Sequence, residues 1–158
     1  MHTAELVYLA VLTLTFSMIA SFTCFVRVVS DSMAPTLLVD DRLLVIRRAV
    51  LPRCFPARGQ IVVFTAAAKG PERGSSRRRM VKRVAATGGD SILVGDDFRV
   101  EGVGRPQRVD VPAGGVYVLG DNRRVSRDSR EYGCIPSRQV TGLVVLVVWP
   151  PRRARAVR

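Results

Sequence analysis

Histidine is nearly missing from these 158 residues: the one copy, His2, precedes the first apolar segment. That placement excludes a histidine triad, a histidine general base and most zinc sites. Lysine is almost as scarce, since all but two of the 25 basic residues, Lys69 and Lys82, are arginine. The three cysteines, Cys24, Cys54 and Cys134, lie far apart with no C-x-x-C pair, so they form no metal or redox motif. A Cys54–Cys134 bridge stays open at this point, and no metal or cofactor is expected. Aromatic residues make up 6% of the chain and are not interleaved with the basic ones. The pattern of single-strand nucleic-acid binders is therefore absent, and no nucleic acid is expected as partner. The net charge of +12 points instead to acidic partners such as anionic lipid headgroups.

What is present begins with LVYLAVLTLTFSMIASFTCFV, Leu6 to Val26, 21 residues without a charge. Its length suffices for a membrane-crossing helix, and its apolar character is continuous rather than striped as in a core helix. MHTAE ahead of it lacks the basic residues of a secretory signal, so an anchor spanning the membrane once is expected, with Cys24 inert inside it. The flanking positive charges, Arg27, Arg42, Arg47 and Arg48, all follow the segment, and by the positive-inside rule they would keep the rest of the chain in the cytoplasm.

Beyond the anchor, short β-like runs alternate with turn residues, so the remainder is expected to be mainly β. The predicted strands are Phe25–Ser30, Arg42–Arg48, Gln60–Thr65, Met80–Ala85, Ser91–Val94, Phe98–Glu101, Gly115–Leu119 and Val140–Trp149. A turn over Gly95–Asp97 joins two of them into a hairpin, and Pro35 suits a helical turn after Ser32. AAAKGPERGSSRRR, Ala66 to Arg79, is expected to be a flexible loop holding Lys69. The basic, Pro-started tail is expected to be mobile. The division is residues 1–27 as tail and anchor, 28–151 as a folded domain and 152–158 as the tail.

Three polar clusters remain: VVSDSMAPTL from Val28, MVKRVAATGGD from Met80, and LGDNRRVSRDSREYGCIP from Leu119. Each alone suits an ordinary turn, strand or surface loop. Together they suggest a Ser–Lys centre. A serine hydroxyl attacks only when a neighbouring base takes its proton. Without an available histidine, that base is a lysine whose pKa burial has lowered, and guanidinium cannot take the role. Lys82, in an apolar run beside Arg83, is suited to it.

These clusters resemble the three ordered boxes of the type I signal peptidases, over roughly Val28 to Pro151. The resemblance implies a β-rich, membrane-anchored serine endopeptidase with Ser32 as nucleophile and Lys82 as general base. It implies that Ser126 and Asp128 position Lys82, with Asp128 paired to Arg130, and that the Ser32 amide and the Ser30 hydroxyl form an oxyanion hole. Gly120, Asp121 and Asn122 would be structural. Met33, Val26, Val28, Leu37 and Val81 would line shallow substrate pockets, or equally be ordinary core. The implied substrates are exported preproteins with small residues at the first and third positions before the cut. The implied setting is a single-pass monomer in the lipid of the plasma membrane, its catalytic domain on the extracytoplasmic face, against the charge rule. Dedicated maturation peptidases and the mitochondrial inner-membrane peptidases share these boxes. The self-cleaving repressors share a related Ser–Lys fold but lack the third box.

The sequence departs from the family pattern at Asp31, Asp40, Gln60 and Thr87–Gly88. Asp31 matters most, because a carboxylate beside Lys82 would strengthen its hold on the proton. Its side chain is expected to point away.

Overall fold

The computed structural model describes residues 2–52, 54–67, 77–95 and 107–157. Phe98–Glu101, most of the Gly95–Asp97 turn and Lys69 lie outside these residues. The first element is helix α1, His2–Phe22, within which Ala4–Phe22 is long and apolar enough to cross a membrane. At 1.5 Å per residue those 19 residues span about 29 Å, close to the thickness of a bilayer's hydrocarbon core. Three of its hydroxyls are satisfied within the helix, as lipid favours: Thr13, Thr15 and Ser21 each donate at 2.9 Å to a carbonyl three or four residues back.

The helix ends four residues before the apolar run does. Thr23–Arg27 form strand β1, paired antiparallel with β2, Arg42–Arg47, in the register Thr23↔Ile46 to Arg27↔Arg42. Cys24 therefore lies in a strand, not in the anchor, and packs against the core. Hydropathy does not separate the two states, because TCFV suits a strand as well as a membrane helix; the ladder to β2 decides between them.

Strands β3, Ile61–Ala67, and β4, Arg77–Thr87, are longer than predicted and absorb both ends of the expected flexible loop, Arg77 to Arg79 included. There follow β5, Ser91–Val94; β6, Gln107–Asp110; β7, Gly115–Leu119; the four-residue helix α2, Ser129–Tyr132; β8, Ile135–Pro136; β9, Val140–Trp149; and β10, Arg155–Ala156. Their order in the main sheet is β1-β2-β9-β3-β4-β7-β8, with β10 on β9, while β5 and β6 form a separate hairpin pair. The short β6, QRVD, has one apolar residue and no alternation to betray it.

The apolar alternation of β3 divides the core. Ile61 and Val63 enter one cluster with Val28, Met33, Leu37, Leu43, Val45, Val144 and Val147. Val62 and Phe64 enter a second with Phe55, Val84, Val116, Val118, Ile135 and Val140. A third, around Val111, Tyr117 and Leu119, fastens the β5–β6 pair.

The basic tail, expected to be mobile, is docked as far as Val157. Pro151–Arg153 form a 3₁₀ turn, β10 pairs with β9, and Val157 packs against the first core cluster. Arg153 and Arg155 find acceptors, which a count of charge does not reveal. Cys24, Cys54 and Cys134 are free thiols, so the bridge left open by the sequence is not formed.

Candidate active site

The chain leaves β1 at Arg27 and turns back to β2 at Arg42, and Ser32 sits in the loop between. A 3₁₀ turn over Asp31–Met33 carries it, so the turn expected after Ser32 includes that serine instead. The loop is pinned from below by Met33 and Leu37, 1% and 0% exposed. Backbone bonds close it: Leu37 N–H to the Met33 carbonyl at 2.9 Å, and Val28 N–H to the Asp41 carbonyl at 2.9 Å.

Lys82 stands in the middle of β4, opposite Val62. Its side chain is 4% exposed, and its Nζ donates a hydrogen bond to Ser32 Oγ. The Ser30 hydroxyl lies 3.2 Å from the same oxygen. Residues 30, 32 and 82 thus converge on one atom. Burial lowers the Lys82 pKa to about 8; Asp128 and Asp121 pull it up, and Arg130 pushes it down. Asp31 is exposed and is not among the charges that act on Lys82.

The third cluster folds around Asp128, a fully buried carboxylate. Its Oδ2 accepts from Ser126 Oγ at 2.7 Å and from Gly120 N–H at 2.9 Å, and its Oδ1 accepts from Arg130 Nε at 2.9 Å. Burial pushes this carboxyl up, but the hydrogen bonds from Arg130, Gly120 and Ser126 outweigh it and hold the pKa below its usual value. Arg130 also donates to the carbonyls of Arg123, at 2.8 Å, and Ser126, at 3.3 Å, so it ties the whole loop together. Ser129 Oγ accepts from Val118 N–H at 2.9 Å and anchors α2 to β7.

Gly120 joins this loop to the nucleophile loop. A Cβ there would stand 2.1 Å from Ser126 Oγ and 2.5 Å from the Ser32 carbonyl oxygen, so no side chain fits. Asn122 N–H donates to that same carbonyl at 3.1 Å. Next to Lys82, Arg83 grips Asp121 with two bonds, Nε to Oδ1 at 2.9 Å and Nη2 to Oδ2 at 2.8 Å. Sequence reasoning treated Arg83 only as a contrast to Lys82. The signal for its role was the G-D-N turn, whose acidic residue needed a partner. The structural part expected of Gly120, Asp121 and Asn122 is thereby given contacts.

The five apolar candidates all belong to the first core cluster. Met33, Leu37 and Val28 are buried in it as ordinary core, whereas Val26 and Val81 are partly exposed at its margin. Among the described residues no group of His, Cys, Asp and Glu is arranged to hold a metal ion.

The sequence model of the signal peptidase family, peptidase S26, matches residues 1–107 and 101–149. This chain belongs to that family. Signal peptidase I of Leptolyngbya laminosa is 36% identical over 78% of this chain and 68% of its own length. The mitochondrial ATP-independent inner membrane protease subunit 1b of Arabidopsis thaliana is 33% identical over 84% of this chain and 80% of its own. The probable thylakoidal processing peptidase 2 of the same plant is 36% identical over 78% of this chain, but this covers only 37% of that protein. Membership of the peptidase S26 family goes together here with an N-terminal helix long and apolar enough to cross a membrane.

Proposed function

We propose that the chain is a membrane-anchored endopeptidase that cleaves signal peptides from exported preproteins, with Ser32 as nucleophile and Lys82 as general base. The observation that carries this reading is the buried Lys82 Nζ in contact with Ser32 Oγ, in a chain whose one histidine is His2. A lysine with its pKa near 8 is partly neutral under mildly alkaline conditions and can accept a proton.

In the reaction, Ser32 Oγ bonds to the scissile carbonyl carbon as its proton passes to Lys82 Nζ. The oxyanion is held by the Ser32 N–H and the Ser30 hydroxyl. Losing one such donor typically costs about 3 kcal/mol of barrier. The C–N bond then breaks, the leaving amine takes the proton from Lys82, and an ester to Ser32 remains. Lys82 next accepts a proton from water, whose oxygen attacks the ester carbon; the bond to Ser32 Oγ breaks, and Lys82 returns the proton to that oxygen. Ser126 and Asp128 position Lys82, and Val26 and Val81 are the pocket candidates that keep surface. The substrates are preproteins with small residues at the first and third positions before the cut. The enzyme is a monomer in the plasma membrane, and its domain faces the extracytoplasmic side, where signal peptides emerge.

The test is cleavage of a secretory preprotein by the detergent-purified chain. Ser32→Ala and Lys82→Arg should each abolish it while circular dichroism stays unchanged; substantial turnover by Lys82→Arg would sink the mechanism. The match over most of the mitochondrial protease supports a second reading, a dedicated maturation peptidase for a narrow client set. Cleavage profiled across many preproteins separates the two.

A further inference from the structure

The match to the family stops at residue 149, yet the structure continues into a segment that touches the nucleophile loop. Arg153 holds Asp41 with two bonds, Nε to Oδ1 and Nη2 to Oδ2, both 2.9 Å. Asp41 is 1% exposed, and its Oδ2 also accepts from Leu38 N–H at 2.9 Å, inside the loop that carries Ser32. Burial pushes the Asp41 carboxyl up; Arg153, the Leu38 amide and the charge of Arg155 outweigh it and hold the pKa below its usual value. Two residues further on, Arg155 donates to the Thr36 carbonyl. The Thr36 side chain in turn helps hold down the pKa of Asp121, the partner of Arg83 beside Lys82.

We infer that the segment from Pro150 to Arg155 is a clasp that positions the Ser32 loop for catalysis, with Arg153 acting through Asp41 as its key positioning residue. The inference rests on the Ser32–Lys82 reading. The loop between β1 and β2 is held at its start by the Arg27–Arg42 end of the ladder and at its middle by Met33 and Leu37. Its second half, Thr36 to Asp41, is held by Arg27 on Asp40 and by backbone bonds to Val28, and the clasp adds its grip on the Asp41 carboxylate and the Thr36 carbonyl. A bidentate guanidinium fixes both distance and angle, which a lysine ammonium does not. The segment also sits on rigid support, because β10 extends the sheet on β9 and Val157 N–H donates to the Val145 carbonyl at 2.9 Å.

A purely structural role and a positioning role differ in what they do to turnover. Three full-length variants in detergent separate them: Arg153→Gln, Arg153→Lys and Val157→Ala. The substrate is a peptide with alanine at the first and third positions before the cut. Arg153→Gln should lower kcat about tenfold with KM within about twofold, since small misplacements of a reacting group cost rate. Arg153→Lys should recover part of that loss. Val157→Ala removes core packing without touching Asp41 and should keep the wild-type kcat at temperatures well below its unfolding midpoint. Amide exchange at Leu38 and Asp41 should quicken in Arg153→Gln and not in Val157→Ala. Unchanged exchange or unchanged kcat in Arg153→Gln overturns the clasp. An equal loss of kcat in Val157→Ala, at an equal fall in midpoint, also overturns it. Failure of the wild type to cleave overturns the proposed function instead, and the exchange measurement still decides the clasp.

Discussion

Two buried carboxylates in this protein are each gripped by an arginine, and they serve different neighbours. Asp128 and Arg130 stand beside Lys82 and act on its charge, one raising and the other lowering its pKa. Asp41 and Arg153 stand at the far end of the Ser32 loop and do not act on Lys82. Each arginine neutralises a carboxylate that would otherwise be costly to bury. The difference is in what the carboxylate's spare lone pairs accept. Asp128 takes Ser126 and Gly120, the groups packed against the site; Asp41 takes Leu38, a backbone amide of the loop. One pair tunes an amine and the other fixes a main chain.

The largest effect is expected at Gly120, where the tuning region meets the nucleophile loop. Gly120→Ala should abolish activity and prevent a stable fold, because its Cβ would meet a backbone oxygen that cannot yield; a folded, active variant would refute that account of the packing.

Next comes Asp128→Asn, which leaves the Arg130 charge buried without its partner. A loss of about 3–5 kcal/mol is expected in denaturant unfolding. In whatever fraction folds, the pH–rate profile sharpens the comparison. Removing the Asp128 charge lowers the Lys82 pKa further, so the acid limb of kcat/KM moves to lower pH. Asp41→Asn should lower stability as well but leave that limb near pH 8. A shared shift would break the distinction between the two pairs.

A smaller effect concerns the lysine itself. Its pKa is about 8 in the folded chain against an ordinary 10.5, so the unfolded chain binds more protons between those values. Stability should therefore rise with pH across that window, by about 3 kcal/mol in total. Lys82→Met should remove this rise, and unfolding curves of both proteins from pH 7.5 to 10.5 check it.

How much of this was legible beforehand follows from the range of each interaction. The strands β2, β5, β7 and β9 declared themselves as short apolar runs between turn residues, within a residue at their ends. The scarcity of histidine and the placement of Lys82 among arginines pointed to an amine base before any coordinates did. The pairing of Asp128 with Arg130 was expected from the resemblance to the signal peptidases. By contrast, the helix-to-strand change at Thr23 was hidden because apolar residues satisfy lipid and sheet alike. The Asp41–Arg153 pair joins residues 112 positions apart, and neither carries a local mark of it. Arg83 looked redundant as charge and proved to be half of a bidentate pair.

By itself, the sequence determined the chemistry available: a serine, one lysine in an apolar strand, no usable histidine, and an apolar helix ahead of a β-rich domain. Those are properties of residue types and of short spacing, which the covalent chain carries with it. Only the tertiary structure decided that Lys82 reaches Ser32, that Met33, Val28 and Leu37 are core, and that the tail is docked rather than mobile. Such contacts depend on strands brought together from distant positions, where a few tenths of an ångström separate a hydrogen bond from none.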